Sequence, residues 1–178
     1  MPTIGVEVGV AGGRLSSMLL KARPKLTLLL IDLWAPNASP AYLATGDGHA
    51  RIPASAWNRI LYQAHQNTAA FGNRVRLWRL DSVEAAGRLA DRYLDFAFLD
   101  DDHSKEGCLR SITAWFPKVK ASGWIGGHDY GHTNPRFKFG VTDAVHQYFD
   151  PLQIKIETDK NSTWFAFIDP QLVHYKGA

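Results

Sequence analysis

The segment 26–33 (LTLLLIDL) is apolar apart from Thr27 and Asp32. Such a run suits a strand buried on both faces, as in parallel sheets flanked by helices on either side. Ahead of it, 3–10 (TIGVEVGV) is a second short apolar run that breaks into the turn Gly9-Val10-Ala11-Gly12-Gly13. Between the two, 14–22 (RLSSMLLKA) reads as a helix that Pro24 helps to end. Strand, glycine turn, helix and buried strand make a βαβ unit, which commits the chain to a layered α/β architecture with right-handed crossovers.

The alternation continues downstream. Residues 34–55 hold three prolines, two glycines and little periodicity, and read as a long loop with a short helical piece. Loops of that length inside a domain are usually functional or disordered. Trp57, Ile60, Leu61 and Ala64 fall at helical spacing in 56–71, with Ser55 as the expected N-cap. A strand at 74–80, a helix at 82–92, a strand at 95–100 and a helix at 104–120 follow. Ser122-Gly123 is expected to turn the chain into a strand at 124–127, with a helix at 140–149 beyond it. Segments 152–157 and 163–168 read as a terminal antiparallel hairpin around Asp159–Ser162. At 178 residues, with no internal repeat, the whole chain 1–178 is expected to be one domain.

Composition removes several function classes. Twenty basic against 17 acidic residues leave a net charge of +3, too small and too dispersed to point to nucleic acid. No stretch approaches the ~18 consecutive apolar residues of a membrane span. Cys108 stands alone, which excludes an internal disulfide and fits a reducing cytoplasm. Glu7 already belongs to the first motif, so no secretory signal is expected ahead of the fold.

In open α/β sheets ligands bind beyond the carboxyl ends of the strands, which makes the first strand-to-helix turn the place to look. Gly9, Gly12 and Gly13 allow a tight turn and close backbone approach, but the pattern is not G-x-G-x-x-G. Glu7 just before the turn disfavours a pyrophosphate and suits a cationic ligand, and Asp32 is placed to accept from ribose hydroxyls. Bland roles as turn glycines and solvated strand ends are the competing account. A second group, Asp100-Asp101-Asp102-His103 and His128-Asp129, follows two other predicted strands and is expected over the same edge. Asp100, His128 and Asp129, with Asp102 as a further candidate, form a mixed oxygen and nitrogen set for a divalent ion. Alternatively, His103 or His128 serves as a general base. A solvated acidic turn is the plain alternative to both.

Taken together, these residues resemble the class I S-adenosylmethionine-dependent methyltransferases, over nearly the whole chain. The nearest branch is that of small-molecule O-methyltransferases of the macrocin and mycinamicin kind. Glu7-Val8-Gly9 through Gly13 resembles the family's first motif, Asp32 its ribose-binding acid, and Asp81-Ser82 the site flanking the adenine. FLDDDHSKEGCLRSI, then Trp115-Phe116-Pro117, then GWIGGHDY resembles the signature of that branch. The resemblance implies a Rossmann-like three-layer αβα sandwich with a mostly parallel seven-stranded sheet and the C-terminal antiparallel hairpin. It implies S-adenosylmethionine held by Glu7, Gly9, Val10, Ala11, Gly13, Asp32, Leu33, Asp81, Ser82 and Asp100. It implies His103, Asp129 and His128 at the reaction centre, and magnesium on Asp100, His128 and Asp129. His128 stands where relatives often carry a carboxylate, a departure that weakens the magnesium site.

The expected activity is methyl transfer to a small-molecule acceptor, at a hydroxyl oxygen, by in-line displacement with base assistance. The alternatives are an NAD-linked oxidoreductase and a non-catalytic cofactor-binding subunit. Trp57, Trp78, Trp115, Trp124 and Trp164 are expected in the core, and Trp34 or Leu33 against the adenosine. Cys108 is expected to be buried and inert, and His49 and Arg51 to be solvated. Residues 34–55 and 130–140 are expected to build the acceptor side, where Tyr130, His132, Arg136 and Lys138 would suit an anionic acceptor. With so little chain before the first motif, an oligomer or an open pocket is expected.

Overall fold

A computed structural model describes residues 3–37 and 39–171. Seven strands, β1 (Thr3–Val8), β2 (Leu26–Asp32), β3 (Val75–Arg79), β4 (Leu94–Leu99), β5 (Val119–Gly127), β6 (Ile156–Thr158) and β7 (Trp164–Phe167), form one sheet in the order β3-β2-β1-β4-β5-β7-β6. β1 to β5 run parallel, and β7 is antiparallel to both β5 and β6. The helices are α1 (Arg14–Ala22), α2 (Pro40–Ala44), α3 (Ala54–Thr68), α4 (Ser82–Gly87), α5 (Lys105–Trp115) and α6 (Val141–Phe149). This is the expected three-layer sandwich.

Two apolar clusters hold the layers together. On one face Val6, Val8, Leu29, Ile31, Ala97, Leu99, Ile125 and Trp164 pack with residues of α4, α5 and α6 such as Ala85, Ile112, Trp115 and Val145. On the other, Leu26, Leu28 and Leu30 pack with Leu20, Trp34, Trp57 and Ala64 around α1 and α3. β2 therefore buries both its faces, which is why its sequence does not alternate.

Several boundaries differ from expectation for local reasons. α3 starts one residue before Ser55, with Pro53 at its N-cap, so Ser55 lies inside the first turn. α4 is short: the chain leaves the helix after Gly87, Arg92 adopts φ +55, and its N–H donates to the Pro117 carbonyl. α5 stops at Trp115 because Pro117 cannot continue the helical hydrogen-bonding. β5 begins five residues earlier than expected. Ser122-Gly123 is not a turn but an irregularity within the strand: Ser122 adopts φ +65, and a Cβ on Gly123 would lie 2.7 Å from the Asp95 carbonyl. Trp124 is 40% exposed rather than in the core, since it faces away from α4, α5 and α6.

Among the described residues, no helix is long and apolar enough to cross a membrane.

Candidate active site

The carboxyl ends of β1, β2, β4 and β5 open onto a cavity of about 750 Å³. The glycine turn forms its floor. Gly9 adopts φ +87, and a Cβ there would collide with the Asp100 backbone, so the end of β4 can approach only a glycine. Asp32 clamps the turn: one carboxylate oxygen accepts the Ala11 N–H at 2.8 Å and the other the Trp34 N–H at 2.7 Å. Burial pushes the Asp32 carboxyl up in spite of these bonds. Trp34 is fully buried at φ +41, and its indole donates to the Ala11 carbonyl at 2.9 Å. It therefore braces the turn from behind, and of the expected adenosine pair only Leu33 lines the cavity.

Of the residues expected to hold the cofactor, Gly9, Ala11, Asp32, Leu33, Asp81, Ser82 and Asp100 line this cavity. Glu7, Val10 and Gly13 do not. Glu7 is 2% exposed and points beneath α1, where it accepts from the Ser16 hydroxyl at 2.6 Å. Burial, with smaller contributions from Asp100 and Asp32, outweighs that bond and pushes its carboxyl up to about 8. Asp81 also caps α4, accepting from Val83 N–H and Glu84 N–H. Ser82 joins a buried chain that runs from Asp101 through Ser111 to the Trp115 indole.

A polar cluster centres on His103, which is nearly buried. Its Nδ1 lies 2.7 Å from Asp47, and its Nε2 lies 3.1 Å from Asp100 and 3.2 Å from Asp129. Burial disfavours the imidazolium, but hydrogen bonds to Asp100 and Asp47 and the charge of Asp129 prevail and raise the pKa to about 10. Burial would likewise raise Asp47, yet bonds from His103, His49 and Tyr42 hold its carboxyl well below the usual range. Asp129 reaches the cluster from a backbone at φ +61 just beyond β5. His128 stands aside, partly exposed, with its Nδ1 3.5 Å from Asp129. Asp102 is committed to structure: it accepts from the Ser104 N–H and hydroxyl at the start of α5 and from the Asn37 amide.

Asp47 and Tyr42 are the residues that sequence reasoning missed. Tyr42 donates to Asp47 at 2.7 Å, and Asp47 orients the His103 ring. The one signal for Asp47 was its place between Gly46 and Gly48 in a loop without periodicity. The two segments expected to form the acceptor side do meet, since the Lys138 N–H donates to the Thr45 carbonyl and Gly46 packs on the Arg136 carbonyl. Their inner surface is aromatic: Tyr42, His132, Phe137 and Phe139 line the cavity, and Phe139 lies 4.7 Å from the His103 ring centre. Arg136 and Lys138 are exposed and line nothing there, while Tyr130 turns to His146 on α6. Of the four residues expected to suit an anionic acceptor only His132 lines the cavity, which also holds the guanidinium of Arg110. His49 lines the cavity, whereas Arg51 does not.

For a divalent ion the donors gathered are Asp100, His103 and Asp129, each offering one atom within 4.8 Å of the others. Two carboxylates and an imidazole whose Nδ1 is held by Asp47 fit such an ion chemically, with His103 rather than His128 as the nitrogen donor.

A parallel sheet closed by an antiparallel last strand, with an acidic cavity over its glycine turn, defines the S-adenosylmethionine-dependent methyltransferase fold. A family model described as a methyltransferase domain matches residues 6–130, and the chain belongs to that family. Among solved structures, the O-methyltransferase NovP superposes with TM-score 0.66 at 19% identity, over 94% of this chain and 72% of that one. A putative caffeoyl-CoA O-methyltransferase from Staphylococcus aureus gives 0.64 at 17% identity, over 94% and 76%. A Burkholderia thailandensis 1,6-didemethyltoxoflavin N1-methyltransferase gives 0.54 at 11%, over 94% and 72%. No curated protein matches the sequence.

Proposed function

We propose that the chain is an S-adenosylmethionine-dependent O-methyltransferase acting on a small neutral molecule, of the macrocin and mycinamicin kind. The observation that carries this is a convergence: the Asp32-clamped glycine turn and the Asp47–His103–Asp100/Asp129 cluster share one cavity. Bound S-adenosylmethionine supplies an electrophilic methyl group on a cationic sulfur. Asp32, Leu33, Asp81 and Ser82 hold the adenosine side, and Gly9 and Ala11 of the glycine turn hold the methionine side, with Glu7, Val10 and Gly13 supporting the turn from behind.

His103 removes the acceptor proton through Nε2, with Asp47 fixing the ring through Nδ1. Asp129 and Asp100 keep the acceptor hydroxyl in line with the methyl carbon. Seven carboxylates line the cavity, at Asp32, Asp47, Asp81, Asp100, Asp101, Asp102 and Asp129, and they outnumber the guanidinium of Arg110, which disfavours an anionic acceptor. The wall of Phe137, Phe139 and His132 favours a ring-bearing one.

In a metal-dependent variant of this reading Asp100, His103 and Asp129 would hold a divalent ion, with His103 then a ligand through Nε2 in place of the base and His128 at the edge of the site. Such an ion would lower the acceptor hydroxyl pKa. A homo-oligomer belongs to the same reading, as does the cytoplasm, which the single buried Cys108 fits.

The test is transfer of a labelled methyl group from S-adenosylmethionine to a panel of hydroxylated acceptors, with and without EDTA. Transfer that is lost in His103→Ala supports the reading, and EDTA sensitivity adds the metal. A cofactor-binding protein that methylates no acceptor contradicts it.

A further inference from the structure

Asp81, Ser82, Asp101 and Arg110 line one corner of the cavity. Behind that corner α4 and α5 share a short chain of hydrogen bonds. The Trp115 indole lies 3.0 Å from the Ser82 hydroxyl, and Ser82 lies 3.0 Å from the Ser111 hydroxyl. Ser111 in turn lies 2.6 Å from Oδ2 of Asp101. Trp115 and Ser111 are fully buried and Ser82 nearly so, which closes these groups to bulk water.

Each hydroxyl has one proton, and that fixes the direction of the chain. An indole nitrogen only donates, so Ser82 accepts from Trp115. Ser111 spends its proton on the Asp101 carboxylate, so the bond between the two serines runs from Ser82 to Ser111. Ser82 then has no proton left for the cavity. The chain ends on a carboxylate, which only accepts and has about four acceptor sites, so its bond to Ser111 leaves capacity toward the cavity.

Asp81, the other acid of the corner, is taken up by the wall itself. Its Oδ1 accepts from Val83 N–H and Glu84 N–H at the start of α4, and its Oδ2 lies 3.7 Å from the Arg110 guanidinium.

We propose that Asp101 recognises the base of the cofactor: it accepts from the 6-amino group of adenine and selects an adenosyl ligand over a 6-oxo purine. This rests on S-adenosylmethionine as the cofactor, with its adenosine beside Asp81 and Ser82. The amino group is the donor on an edge of adenine whose ring nitrogens accept, and at Asp101 it meets an acceptor. A 6-oxo purine sets a carbonyl oxygen there instead, lone pairs against a carboxylate, and forfeits a charge-assisted hydrogen bond. The serine chain makes the effect of a substitution directional. In Asp101→Asn the side-chain carbonyl turns to the Ser111 proton, which leaves the amide NH2 for the cavity, a donor where the carboxylate accepted.

The test is calorimetric titration of the folded full chain with S-adenosylhomocysteine and with its 6-oxo counterpart, S-inosylhomocysteine. Wild type is expected to prefer S-adenosylhomocysteine by about ten- to hundredfold, as for a hydrogen bond to a charged group. Asp101→Asn is expected to lose or invert that preference with unchanged far-UV circular dichroism. Asp81→Asn is expected to weaken both ligands alike. Equal affinities in the wild type overturn the proposal without recourse to any variant, so it stays falsifiable should Asp101→Asn fail to fold. A preference that survives in Asp101→Asn also overturns it, as does one that Asp81→Asn removes. A folded wild type that binds neither ligand removes the cofactor reading together with this one. Binding of both ligands equally keeps the cofactor and removes only the role of Asp101.

Discussion

His103 stands between three carboxylates, and its chemistry depends on which of them it keeps. With a pKa of about 10 it is an imidazolium at neutral pH and accepts a proton only as pH rises. The methyl-transfer rate is therefore expected to climb with pH well past neutrality. Asp47→Asn replaces the carboxylate at Nδ1 with a neutral amide and so weakens one of the bonds that raise this pKa, and the same climb should begin at lower pH in that variant. A kcat profile measured across pH 6–10 checks this, and identical profiles for the two proteins contradict it. His103→Ala is expected to lower kcat by about 10²–10⁴-fold, the usual contribution of a positioned base.

Glu7 carries a different signature, visible in stability. Its folded pKa of about 8 exceeds the ordinary 4.5, so between those values the folded chain keeps a proton that the unfolded chain releases. The stability this group contributes is complete below the lower value and lost as pH rises toward the upper one, at up to about 1.4 kcal/mol per pH unit. Glu7→Gln is expected to flatten the fall in melting temperature over that window. A wild-type curve already flat there would show that Glu7 is ionised in the fold.

At the scale of elements, the site is two loops held by strand ends. Asp32 and Trp34 fasten the glycine turn, and the loop around Asp47 is clasped to the segment around Lys138. Gly46 makes the clasp possible, since at φ +80 a Cβ would lie 2.8 Å from the Arg136 carbonyl. Gly46→Ala is expected to raise KM for the acceptor several-fold while S-adenosylhomocysteine affinity stays near wild type. Steady-state kinetics beside cofactor titration checks this, and an equal loss of both would place the clasp under the cofactor instead.

These elements differ in how far they could be read from residues alone. β1, α1 and β2 were plain because an unbroken apolar run and a glycine turn have few other uses. The first half of β5 (VKASG) was not, because its pairing depends on a backbone irregularity at Ser122 that no apolar period marks. The acids after β4 and β5 could be assigned to one edge from topology. That Asp47 completes their cluster could not, because a contact spanning 56 positions leaves no local trace. Trp34 and Trp124 both left their expected places: a left-handed backbone turns Trp34 behind the glycine turn, and strand alternation puts Trp124 on the face opposite Ile125 and the α4, α5 and α6 layer.

The whole molecule is a seven-stranded sandwich whose candidate chemistry gathers at one edge. Its acidic cavity suits a cationic sulfonium better than a dinucleotide pyrophosphate. The measurement that bears most directly on this is calorimetric titration of the folded chain with S-adenosylhomocysteine, with NAD in a parallel run. One saturable site per chain for S-adenosylhomocysteine, and no heat with NAD, is the expected result. A folded protein that takes up NAD, or binds neither, would contradict the account.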